Sequence, residues 1–147
     1  LTTLLLAQVA EASHYMLEDV PDVVPAARQA PLVAQGVQNT SQLYERVVTT
    51  AARTALAKAT AITPDELTAW ARFLDLMQLP GIGPKMVRLL NAAGVDTLAT
   101  FQKAEPVALN RAMRVANVGN KFSEVVPSAE ILTAWIAAAR AVPVRLQ

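Results

Sequence analysis

Apolar positions in this chain recur every three to four residues, the spacing of a helix face, and no stretch alternates with period two long enough for a strand. Met86, Leu89, Leu90 and Ala93 form one such stripe, opened by Pro84 and closed by Gly94 as a C-cap. Thr97 caps a short helix carrying Leu98 and Phe101. Glu105 and Pro106 start another, with Leu109, Ala112, Met113 and Ala116 on one face. Ser128 caps the last, which buries Ile131, Leu132, Trp135 and Ala139. Thr63-Pro64-Asp65-Glu66 is a strong helix start, its two acids lying on the positive end of the dipole. Leu4, Leu5, Ala7, Gln8, Glu11, Ala12 and Tyr15 read as one ordinary helix rather than the tail of a signal peptide. The pattern predicts helices over 2–17, 25–35, 41–59, 64–77, 84–93, 97–103, 106–116 and 128–141, an all-α fold without a sheet.

The same signals occur twice. Leu67-Thr68-Ala69-Trp70 returns as Leu132-Thr133-Ala134-Trp135, and Gly36-Val37 before Asn39-Thr40 returns as Gly94-Val95 before Asp96-Thr97. Pro21-Asp22-Val23-Val24-Pro25 aligns with Pro80-Gly81-Ile82-Gly83-Pro84, and Tyr44-Glu45-Arg46 with Phe101-Gln102-Lys103. The matches keep one order in both halves, as a duplication requires. They divide the chain into an N-terminal helix (1–19), a first unit (20–78) and a second (79–147), with Trp70 and Trp135 as the expected core anchors.

Composition narrows the chemistry. With 147 residues, 53% of them apolar, and a net charge of +1, the chain has enough apolar surface to fold as one compact domain. Cysteine is absent and histidine occurs once, at His14, which leaves neither a thiol nucleophile nor a ligand cluster for a metal. No nucleotide loop or catalytic triad is present, so neither enzyme nor cofactor is expected. A charge interrupts every apolar run before a membrane span is reached, and a cytoplasmic location is expected. Charge is also uneven. Residues 1–78 hold five basic and eight acidic side chains (net −3), whereas residues 79–147 hold eight and four (net +4). A polyanion would prefer the second half.

Leu79-Pro80-Gly81-Ile82-Gly83-Pro84-Lys85 stands between two predicted helices. It resembles the helix-hairpin-helix motif, whose hairpin runs hydrophobic-Pro-Gly-hydrophobic-Gly, and Leu89 to Leu98 is similar to that motif's usual continuation. The whole chain most resembles a bacterial group of tandem helix-hairpin-helix domains of unassigned function, closely over Leu79 to Ala141 and faintly over Val20 to Leu76. The glycines fit the physics of such a turn. Positive φ is cheap only for glycine, and a bare backbone lets a phosphate approach the unpaired amides of Gly81, Gly83 and Lys85. Ile82 is expected to pin the turn inward, with Lys85 and Arg88 adding charge one helical turn apart. Gly83 is expected either to take positive φ or to make a close backbone approach that a Cβ would obstruct.

The resemblance implies sequence-independent binding of the DNA backbone through Gly81, Ile82, Gly83, Lys85 and Arg88. Arg111 and Arg114, one helical turn apart, read with Lys121 either as an extension of that phosphate track or as a plain solvated face. In the first unit Asp22 and Val24 replace both glycines, so phosphate binding is not carried over to Val20–Pro25. The alternative is a protein-interaction or self-associating scaffold whose hairpins are purely structural. The low net charge favours that alternative, since a DNA clamp is usually more basic.

Overall fold

The computed structural model describes residues 14–147. Among them the chain is entirely helical apart from one isolated bridge between Met16 and Asn39. After a 3-10 turn at Leu17–Asp19 come α1 (Ala26–Ala34), α2 (Thr40–Val47), α3 (Thr50–Thr60), α4 (Pro64–Met77), α5 (Pro84–Ala92), α6 (Leu98–Gln102), α7 (Pro106–Gly119) and α8 (Ala129–Arg140). The expected N-terminal helix over 2–17 lies almost wholly outside the described residues. Its last positions, His14 to Met16, are not helical, because Tyr15 and Met16 pair with the start of α2 instead.

Local chemistry explains most of the boundaries. Thr63 caps α4 by accepting from the Glu66 amide at 3.3 Å, and Ser128 caps α8 by accepting from Ile131 at 3.2 Å. Glu105 spreads its carboxylate over the Val107 and Ala108 amides at the start of α7. α1 and α5 end alike: Gly36 (φ 79°) and Gly94 (φ 93°) turn the chain, and the next valine amide bonds back to the carbonyl of Leu32 or Leu90. The two sites are the ones the repeated Gly-Val step picks out.

The helix expected over 41–59 is two helices. Val47-Val48-Thr49-Thr50 is a β-branched run whose stiff side chains disfavour helix. Thr49 goes extended there and its hydroxyl caps α3 through the Ala52 amide at 3.1 Å. Arg53, buried, reaches back six residues across the break and donates to the Val47 carbonyl at 2.7 Å, satisfying the broken end of α2. In the other direction, α7 continues three residues beyond its expected end, to Gly119.

The buried side chains form one continuous cluster running through both halves. α2 packs on α3 and α4, α4 on α5, α5 on α7, and α8 on α6 and α7. Two stripes are rotated from expectation. Val87, not Met86, is buried in α5, and Ile136, not Ile131, is buried in α8. Trp70 is buried as expected, whereas Trp135 is half-buried at the cluster's edge. Thr40, Arg53 and Asp75 are the buried polar side chains among the described residues, and Asp75 is the most enclosed of them. Asp75, almost inaccessible on α4, accepts from the Tyr44 hydroxyl at 2.7 Å, Gln78 Nε2 at 2.9 Å and the Leu98 amide at 2.8 Å. One carboxylate thus ties α2 to α4 and satisfies the start of α6.

Candidate functional site

The chain from α4 to α5 reverses over Gln78 to Gly83. Leu79 and Ile82 are buried beneath the turn, and the Ile82 amide bonds to the Leu79 carbonyl at 3.2 Å. Gly81 carries the strained geometry, with φ of 80°. Gly83 does not: its φ is −97°, an extended N-cap conformation, and neither the positive φ nor the close backbone approach expected there is found. A Cβ on Gly83 would instead lie 2.7 Å from the Tyr15 hydroxyl oxygen, a close approach made by a side chain.

Of the described helices, α2, α3, α4, α6, α7 and α8 begin with a side chain bonded to a first-turn amide. α1 and α5 begin without one, behind Pro25 and Gly83. These are the helices that follow the two aligned proline-bracketed turns. The start of α5 therefore presents amides with neither an intrahelical acceptor nor a side-chain cap.

Gly81, Gly83, Lys85 and Arg88 line one cleft of about 450 Å³, and its opposite wall is Asp19, Val20, Pro21 and Asp22 with Tyr15. The two aligned turns thus face each other across it. Lys85 is exposed, whereas Arg88 is held: its guanidinium lies over the Phe73 ring, 5.9 Å from the centroid, and Nη2 is 3.9 Å from Asp22 Oδ2. Two acids, Asp19 and Asp22, thus face two bases, Lys85 and Arg88, a pairing that no local sequence signal marks because the partners lie more than sixty positions apart. Arg28, the first cation after the first turn in the sequence, is committed to Glu66 through two bonds of 2.8 and 3.0 Å.

The remaining expected positions lie elsewhere. Arg111 and Arg114 line a separate groove on α7, which shares no residue with the cleft. Lys121 lines neither and pairs with Glu124 at 2.9 Å on the surface. The arrangement does not join these three to Lys85 and Arg88 as one track.

Among the described residues no group of three or more His, Asp or Glu side chains is placed to hold a metal ion, and no helix is long and apolar enough to cross a membrane. The fold and cleft define an all-helical domain with a glycine turn feeding an uncapped helix start. The chain belongs to a family described as a domain of unknown function, DUF4332, whose model matches residues 23–142. No curated protein and no solved structure matches the chain.

Proposed function

We propose that this chain is a tandem helix-hairpin-helix domain without enzymatic activity, and that it holds the DNA backbone in a sequence-independent way through the α4–α5 turn. The observation that carries the reading is the start of α5. Its first-turn amides lack a cap, Gly81 offers open backbone, Gly83 lies beside the Tyr15 hydroxyl, and Lys85 stands next to them. Helix amides and a positive dipole end attract a phosphate oxygen, and Lys85 adds a point charge. Arg88 joins when it leaves Asp22. The first unit, with Asp22 in place of glycine and Arg28 committed to Glu66, completes the shared core without binding.

Titration with duplex DNA at two salt concentrations tests this. One such turn neutralises few phosphates, so log affinity against log salt is expected to fall with a slope of about −2 to −4, with dissociation constants toward ~10⁻⁴ M. Lys85→Glu with Arg88→Glu is expected to abolish binding on all sequences alike, since phosphate contacts carry no sequence information. Arg28→Ala is expected to leave it intact. Absence of salt-dependent binding to duplex, single-stranded and branched DNA would overturn the reading.

A second reading, a protein-interaction module, is favoured by a different observation. α7 exposes Val107, Val115 and Val118 together, and apolar stripes of this kind mark protein contacts.

A further inference from the structure

The groove along α7 measures about 760 Å³ and is the larger of the two clefts described. Val107, Arg111, Arg114, Val115 and Val118 fall at helical spacing on one face of α7, and Val126 faces them from the segment that follows. The valines on α7 are 55, 70 and 88% exposed, so most of their apolar surface is left to solvent. From Val107 to Val118 the stripe runs ~16 Å, about three turns of helix.

The far wall is fixed rather than loose. Asn110 donates to the Pro127 carbonyl at 2.7 Å, and Asn117 donates to the Ser123 carbonyl at 2.9 Å. The Asn117 side-chain oxygen also accepts from the Phe122 and Ser123 amides. Both asparagines lie on the groove-facing side of α7, so the helix itself anchors residues 122–127. The groove is therefore present before anything binds.

Charge says what fits. Arg111 and Arg114 are the charged residues of the lining, and neither pairs with a carboxylate among the described residues. Glu105, which lies near enough to feel Arg111, spends its carboxylate on the amides that start α7. A phosphate backbone would satisfy the arginines but leave the valines wet. An apolar stripe alone would cover the valines but bury two unpaired cations, which is costly. An amphipathic helix with an apolar stripe flanked by carboxylates satisfies both.

We propose that the α7 groove docks an acidic amphipathic helix of a partner protein, the valines taking its apolar stripe and Arg111 and Arg114 its flanking carboxylates. This does not depend on DNA binding at the α4–α5 turn, since no valine or arginine of the groove lines that cleft, although Ser123 of the 122–127 segment does.

The test uses three synthetic helices of about 18 residues, or five turns. The first carries a leucine stripe flanked by glutamates, the second replaces the glutamates with lysines, and the third replaces the leucines with serines. Fluorescence anisotropy with the whole chain is expected to show the first binding at least about tenfold more tightly than either control, and less tightly as salt rises. Arg111→Glu with Arg114→Glu is expected to reverse the preference to the lysine peptide, a gain that no loss of folding produces. Val115→Asp is expected to abolish both, and Lys85→Glu with Arg88→Glu to change neither. Amide shifts on binding are expected along α7 and residues 122–127. Equal binding of the glutamate and lysine peptides, shifts centred on the α4–α5 turn, or no binding of the glutamate peptide would overturn the proposal. So would concentration-dependent dimerisation abolished by Val115→Asp, which assigns the groove to a second copy. DNA-induced shifts along α7 that survive Val115→Asp would assign it to phosphate.

Discussion

Asp22 of the first aligned turn and Arg88 of α5, the helix that follows the second, meet across the cleft with Oδ2 and Nη2 3.9 Å apart. The aspartate that replaces a glycine in the first turn does more than remove bare backbone there. It offers the arginine of α5 a carboxylate where the proposed ligand offers a phosphate oxygen. The contact is long, Asp22 is 83% exposed, and exposed pairs are worth ~0–1 kcal/mol. Releasing Arg88 is therefore worth a small factor. Asp22→Asn is expected to tighten DNA binding about two- to fivefold without changing thermal stability measurably. A titration in which this variant binds no better than the parent would show that Arg88 is not competed for.

Gly81 and Gly83 are both small for different reasons, and substitution separates them. Gly81 sits at φ 80° with open space around its Cβ position, so Gly81→Ala meets only backbone strain, expected to cost about 1–2 kcal/mol. Gly83 has ordinary φ, and its Cβ meets only the tip of Tyr15. Gly83→Ala is expected to cost less, because a phenol end can swing aside, and to cost less still in a Tyr15→Phe background. Melting the two singles and the double distinguishes the cases through their non-additivity. Equal destabilisation with and without the Tyr15 hydroxyl would refute the contact.

Much of the fold was legible because capping and helical period are local. Thr63, Thr97, Glu105 and Ser128 begin helices where their side chains indicate, and Gly36 and Gly94 end them. What the period could not decide was rotation within a helix. In α8, Ile131-Leu132 and Trp135-Ile136 are adjacent apolar pairs, and which member turns inward depends on how α6 and α7 pack. The break at Thr49 was signalled by the β-branched run and by Thr-x-x spacing, but the long-range partner Arg53 was not. The cleft was half legible: its glycines and cations were readable from one motif, whereas the opposing acids come from residues some sixty positions away. Trp70→Ala is accordingly expected to cost about 3–5 kcal/mol, and Trp135→Ala distinctly less, because its ring is already partly solvated. Equilibrium denaturation of the two variants checks the order.

Asp75 concentrates more of the structure's polar bonding than any one helix cap. Truncating it to alanine strands the Leu98 amide and the Tyr44 hydroxyl in the interior together. Each such group costs ~1–3 kcal/mol, so Asp75→Ala is expected to lose roughly 3 kcal/mol or more. Asp75→Asn keeps one oxygen for the Leu98 amide and should lose less. A urea transition unchanged by Asp75→Ala would show that the carboxylate is dispensable.

The stability of the chain should fall at both ends of the pH scale for opposite reasons. Tyr44 is held neutral by burial first and by its bond to Asp75 second, so its folded pKa stands far above the ordinary value of ~10. A group raised in the fold contributes stability that is intact below its unfolded pKa and declines above it. Stability should therefore drop by about 1.4 kcal/mol per pH unit once the pH exceeds ~10, from this one proton. Tyr44→Phe removes that slope, at the cost of the bond to Asp75. At the acid end the sign reverses. Glu45 is held below the usual carboxylate value chiefly by its paired bonds to Arg145, and Glu105 by the Ala108 and Val107 amides. Their contributions are present above ~4.5 and lost as pH falls through the lowered folded values. Both groups are largely solvated, so this limb is shallow, and Glu105→Ala should flatten it further while weakening the start of α7. Chemical denaturation from pH 3 to 11 in the parent, Tyr44→Phe and Glu105→Ala measures both limbs. An alkaline slope that persists undiminished in Tyr44→Phe would place the titrating group elsewhere.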